Sequence, residues 1–390
     1  MSVLLLILGL VLFIGLVVVH EWGHFIMARR NGVEVEEFGI FFPPRLFKHR
    51  TKGGWNFTIN ALPLGGFVKL KGEHDTDKAK GSYGAASLKA KSKIMAAGVV
   101  MNLIVGFVLL TVVALVGMPQ LVPNQFTVKS DTTISRNEII LSVVDKGSPA
   151  DKAGLKSTDR INSINLAGQI PVAIHTSDDL KAATKRFAGQ GVFISYDRAG
   201  KPRVASTTLL SIQAVAASIK AGNAKGYLGV VPQSYTLQRS TWSAPVVAAG
   251  LTGQFTALTF QGLGKAIGGL GSIIAGSVTG NMHARQNGQS SASDQVSGPV
   301  GIYVILQDGS LLGYQFILMI IAIISLTLAI MNILPIPALD GGRLWLTLIT
   351  RGIFKKPLSP RREEIINGAG FAALLGLIVV ITIVDVRRFF

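Results

Sequence analysis

Four long apolar runs punctuate the chain, at residues 3–27, 94–116, 311–333 and 369–384. A helix needs roughly 20 predominantly apolar residues to cross a bilayer, so each run predicts a membrane-spanning helix. Between the first two, residues 28–93 are polar and carry 13 Lys and Arg. Within them, residues 55–62 alternate apolar and polar, the period of a strand. The Pro63-Leu64-Gly65-Gly66 break follows, and residues 67–70 resume the alternation, which predicts a bent β-hairpin within residues 50–75. Residues 118–235 are mixed in character. Strand-like runs at 138–144, 160–164, 192–196 and 206–210 surround one helix-like stretch at 177–187, predicting a small α/β domain in water. Residues 240–280 are moderately apolar, but Gly262, Gly264, Lys265, Gly268, Gly269 and Gly271 interrupt them. That pattern favours amphipathic helices lying on the membrane surface over a fifth span. Residues 281–297 read as a polar, flexible linker. No internal repeat is visible.

The pattern therefore divides the chain into residues 1–117, 118–235, 236–310 and 311–390. The fold class is a membrane α-helical protein of about four spans, with a membrane-associated β-hairpin and one water-facing domain. Composition agrees. Hydrophobic residues make up 49% of the chain and charged residues 15%, against about 25% charged in a soluble domain.

The net charge of +17 would suit nucleic acid, but its distribution argues against that partner. Lys and Arg crowd beside the apolar runs, as in Arg29, Arg30, Lys89, Lys91, Lys93, Arg343, Arg351, Arg361 and Arg362. This is the positive-inside pattern, helped by anionic lipid. It predicts that residues 28–93 and 343–364 face the cytosol and that the amino terminus and residues 118–235 face outward. The first run has no basic leader and no small-residue cleavage site, so a cleavable signal peptide is not expected. There is no cysteine. Disulfides are excluded, and a metal site must use His and carboxylate ligands.

The chemistry sits at the inner end of the first span, in His20-Glu21-Trp22-Gly23-His24. Two imidazoles at i and i+4 on one helical face can ligate one metal ion, and the intervening Glu can act as base. In a soluble helix the same spacing also arises as two surface histidines beside a Glu. Ionisable groups in hydrocarbon are costly and mark function by default, which removes that alternative. His24 lies five residues before Arg29, about 7.5 Å of helix rise, so the site falls inside the membrane near its cytosolic face. A third ligand is available in Asn332-Ile-Leu-Pro335-Ile-Pro337-Ala-Leu-Asp340-Gly341-Gly342. Two prolines end the third span there and leave Asp340 on unwound chain at a matching depth. The alternative for Asp340 alone is a helix N-cap.

The pairing of HEWGH with NILPIPALDGG closely resembles the site-2 protease family of intramembrane zinc metalloproteases. Asn60-Ala-Leu-Pro-Leu-Gly-Gly-Phe-Val-Lys69 and Gly298-Pro-Val-Gly-Ile302 resemble its bacterial branch, closest to the regulator of sigma-E proteases. The resemblance implies Zn2+ held by His20, His24 and Asp340, with Glu21 as general base. It implies Asn332 as a contact to substrate backbone, and Gly65, Gly66, Phe67 and Val68 as the strand edge that receives an unwound substrate helix by β-augmentation. Residues 146–155 and 159–164 resemble a PDZ domain, with 226–230 as its closing strand. Only one copy is visible where that group commonly has two.

The implied activity is regulated intramembrane proteolysis of single-pass membrane proteins, such as anti-sigma factors or remnant signal peptides, in the bacterial cytoplasmic membrane. The implied partners are transmembrane-helix substrates, the lipid bilayer, and a peptide or substrate outer domain at the PDZ domain. The competing reading is a membrane metal transporter or metal sensor, since buried His and Asp on broken helices suit ion pathways too. That reading calls for ligands at staged depths.

Overall fold

In a computed structural model of the chain, residues 2–74, 76–279, 281–283 and 298–389 are described. They form two compact units. One comprises residues 7–110, 248–306 and 320–390, and the other residues 1–6, 111–247 and 307–319.

The first unit is built on long apolar helices. Helix α1 runs Ser2–Arg30 and continues past the apolar run through its two arginines, whose charge suits a helix C-terminus. It stops where Gly32 turns to φ 77° and the Asn31 side chain donates to the Met27 carbonyl at 2.8 Å. Its 29 residues reach about 43 Å, enough to cross a hydrocarbon core of about 30 Å. Helix α2 runs Leu88–Val116 and so includes Lys89, Lys91 and Lys93. Lys91 is 1% exposed, its ammonium donating to the Gly84 carbonyl at 2.9 Å. A charged side chain thus tucks against the first turn without ending the helix.

Strands β1 (Val35–Arg50) and β2 (Asn56–Leu70) pair between these helices. Their register folds the pair into four adjacent runs. Residues 47–50 lie beside 56–59, residues 56–59 also lie beside 37–40, and residues 37–40 lie beside 66–70. The expected hairpin within 50–75 is corrected on this point. Residues 55–62 and 67–70 do not pair with each other; they belong to one bent strand, and the partner is residues 35–50. Residues 66–70 pair with β1 on one side only among the described residues, which leaves the other edge open.

In the other unit, β3 (Met118–Pro119), β4 (Thr133–Val144), β5 (Arg160–Asn165), β6 (Val172–Ala173), β7 (Gly191–Arg198), β8 (Lys201–Thr208) and β9 (Val230–Arg239) make one sheet. The order is β3-β9-β4-β5-β7-β8, with β6 on β5. Helices α3 (Pro149–Lys152), α4 (Ser177–Arg186) and α5 (Ile212–Lys220) accompany it. The core is apolar, with Ile139, Leu141, Ile164 and Ile194 fully buried. Asp159, also 0% exposed, is matched by a two-pronged contact from Arg198 at 2.7 Å on each oxygen, the geometry that makes a buried carboxylate tolerable. Strand β9 starts at Val230, the last residue of the run 226–230 expected to be a strand, and extends to Arg239.

Residues 244–279 form one helix, α6 (Ala244–Thr279). The expected linker at 281–297 lies almost wholly outside the described residues. Helix α7 (Pro299–Leu312) follows. Its first amides at Gly298 and Gly301 donate to the buried Asp385 carboxylate at 2.9 and 2.8 Å, a cap supplied from a distant helix. Helix α8 spans Tyr314–Ile333, not 311–333, because Gly313 at φ 114° separates it from α7. Helix α9 covers Asp340–Thr347, and α10 covers Pro360–Phe389, longer than the expected 369–384.

Four of these helices are long and apolar enough to cross a membrane: Val3–Arg30, Leu88–Val116, Tyr314–Ile333 and Pro360–Arg387. Their outer faces carry exposed Val3, Leu4, Val11, Phe371 and Val379, a surface fit for lipid rather than water.

Candidate metal centre

One helical turn places His20 above His24 on the inner face of α1. Both are nearly buried, at 8% and 6% exposed. Their Nε2 atoms stand 3.2 Å apart. The His24 ring is held by its Nδ1, which donates to the Ile94 carbonyl at 2.8 Å. That bond leaves Nε2 with its lone pair aimed at the centre.

The third group arrives from the far end of the chain. Helix α8 stops at Ile333 and the two prolines follow. The chain then turns through Ala338 at φ 72° and starts α9 at Asp340. Leu339 occupies the N-cap and Asp340 the first helical position, so Asp340 is not spent on capping. Its Oδ2 lies 2.9 Å from His20 Nε2 and 3.0 Å from His24 Nε2. The Asp340 side chain is 23% exposed, so the centre is closed on the histidine side and open on the carboxylate side. Arg343, one turn on, pairs with Glu73 at 3.6 Å and ties the start of α9 to the loop after β2.

The donor set fits a tetrahedral metal ion. Zinc bonds of about 2.0–2.1 Å put neighbouring ligand atoms about 3.3 Å apart, close to the three distances above. His20, His24 and Asp340 are the one such cluster among the described residues. Space for the rings comes from Gly98 of α2, where even a methyl group would stand 2.5 Å from the Nε2 atom of each histidine.

Glu21 opens onto the same side as Asp340. With His24, Gly66, Val68, Asp340 and Arg343 it lines a cleft of about 340 Å³. The Val68 N–H is directed at its carboxylate, and a methyl on Gly66 would lie 3.0 Å from Glu21 Cγ. The unpaired edge of β2 and the acid thus share one cleft with His24 and Asp340. Phe67 lines it too. Gly65 does not; it packs toward the Phe42 ring. Asn332 sits half-buried in the last turn of α8 and is not among the residues lining the cleft.

Two residues of the site escape sequence reading: Gly98 and Asn102, at i and i+4 on α2. Asn102 is 1% exposed and its amide lies 3.2 Å from His20 Nδ1. A polar residue in the middle of an apolar span was the available signal.

The sequence has counterparts among known proteins. The model of a family described as Peptidase family M50 matches residues 8–377. The zinc metalloprotease RasP of Shouchella clausii is 27% identical over 461 residues, covering 97% of this chain and 98% of the relative. The protease eep of Enterococcus faecalis is 25% identical over 457 residues, covering 96% and 97%.

Proposed function

The chain belongs to peptidase family M50, and from that premise we propose that it is a zinc endopeptidase that cuts single-pass membrane proteins within the bilayer. The observation that carries the reading is the meeting of His20, His24 and Asp340 beside Glu21, on helices apolar enough to span a membrane. The transporter or sensor reading calls for ligands at several depths, whereas a single cluster stands among the described residues.

His20, His24 and Asp340 would hold the zinc, which when bound supplies Lewis acidity and lowers the pKa of a coordinated water to about 7. Glu21 accepts a proton at its carboxylate and returns it to the leaving amine. The backbone does the positioning. A peptide bond in a transmembrane helix is protected by its own hydrogen bonds, so the substrate must be unwound. The edge of residues 66–70 that β1 leaves unpaired can receive an extended segment, which would take over the Val68 and Leu70 N–H groups now directed at Glu21 and Glu73. Gly65, Gly66, Phe67 and Val68 are the residues assigned to that edge, and Asn332 is assigned a hydrogen bond to substrate backbone.

The substrate class extends to anti-sigma factors and remnant signal peptides. The site lies near the cytosolic face of the bacterial cytoplasmic membrane, with the amino terminus and residues 118–235 outside. Residues 118–235 are read as a single PDZ domain that engages a peptide or a substrate's outer domain. Support comes from the 146–155 and 159–164 motifs, which fall at α3 and β5.

The test is Glu21→Gln in the full chain. Cleavage of a model single-pass substrate is expected to stop while zinc stays bound. Normal turnover by that variant would end the proposal.

A further inference from the structure

Resting on the metallopeptidase reading, we infer that Asn102 is a positioning residue that makes His20 a metal ligand by accepting a hydrogen bond from its Nδ1–H.

The Asn102 carboxamide is buried, with its nitrogen 3.2 Å from His20 Nδ1. Its oxygen is buried and has no hydrogen-bond partner among the described residues. A buried acceptor with no donor is costly. In this arrangement the amide donates to Nδ1, so the neutral ring carries its proton on Nε2. That suits the direct contact of Nε2 with Asp340 Oδ2 at 2.9 Å. It does not suit ligation, which needs the Nε2 lone pair.

The two ends of a carboxamide have the same shape, and a half-turn exchanges them in place. The oxygen then faces Nδ1 and accepts a hydrogen bond from its N–H, and Nε2 turns its lone pair to the centre. His24 already has this arrangement, with the Ile94 carbonyl as acceptor at 2.8 Å. Helix α2 thereby locks both ligand rings in the same tautomer, one through a backbone carbonyl and one through a side chain. The Asn102 backbone is fixed independently, because Ser325 Oγ donates to its carbonyl at 2.8 Å. A side-chain substitution therefore leaves that helix contact in place.

The experiment measures zinc affinity by chelator competition on the full chain in detergent. Asn102→Leu keeps the size and removes the acceptor; Asn102→Asp keeps an acceptor that cannot donate. Asn102→Leu is expected to weaken zinc binding by about 10- to 100-fold, and Asn102→Asp to bind like the wild type. A role in helix packing alone would not separate the two. Wild-type affinity in the leucine variant, or an equal loss in both, overturns the inference. If the leucine variant does not fold, the aspartate variant decides alone: wild-type affinity supports the role, and a tenfold loss overturns it. A wild-type chain that binds no zinc would instead end the metallopeptidase reading itself.

Discussion

Gly98 faces His24 so closely that a methyl group on its Cα would stand 2.5 Å from the ring's Nε2, and 2.5 Å from His20 Nε2 as well. Real side chains do not sit at that distance, so the rings of Gly98→Ala must move apart. Zinc affinity is expected to fall by about 10- to 100-fold, and peptidase activity with it. Alanine is the better helix former by about 1 kcal/mol, so α2 itself is not weakened. A zinc titration on the purified variant checks this, and unchanged affinity would show that the rings have slack to spare.

Gly66 stands in a similar relation to Glu21, but with less crowding. A methyl there would lie 3.0 Å from Glu21 Cγ and 3.2 Å from the Gly39 carbonyl oxygen. Gly66→Ala should leave zinc bound, because no metal ligand is touched, while shifting the acid and the strand edge together. The expected loss is about tenfold in kcat, close to 1.4 kcal/mol of barrier. Single-turnover cleavage paired with a zinc assay separates the two effects. Loss of metal in this variant would count against the division of labour between Glu21 and the ligand triad.

A pH response is expected far from the metal. The Asp131 carboxyl is held down at about 2 by Ser243 and Thr241, whose hydroxyls donate to it, with their backbone amides adding to the effect. It thereby clamps the start of α6. A carboxyl depressed in the folded state contributes stability that is fully present above its unfolded pKa of about 3.9. The contribution is lost as pH falls through the folded value of about 2. The protection factors of the Thr241 and Ser243 amides, taken relative to the intrinsic rate at each pH, should therefore hold from neutral pH to about 4 and fall below it. Asp131→Asn should exchange faster at all these pH values, and a variant with wild-type protection would remove Asp131 from the clamp.

Much of the centre was legible because its signals are local. His20 and His24 lie one turn apart, and Pro335 and Pro337 announce that the helix ends before Asp340. The spans were read short wherever charges lie inside a helix. Lys89 to Lys93 belong to α2, and Arg361 to Glu364 to α10, because long side chains reach polar partners while the backbone stays helical. The residues 35–50 strand was missed for a different reason. Phe41 at φ 67° and the Pro43-Pro44 pair break its local pattern, and its pairing is settled by β2 rather than by its own alternation. Asn102 announced itself as polar in an apolar span, but its partner His20 lies 82 residues earlier. No periodicity carries that information.

Asp340 and the histidine pair are separated by more than 300 residues of chain. A nascent polypeptide emerging from the ribosome therefore holds only two of the three donors until nearly nine-tenths of it has been translated. Any product truncated before that point lacks the carboxylate donor. The cluster on which the proposed activity rests is thus incomplete until the start of α9 has been translated.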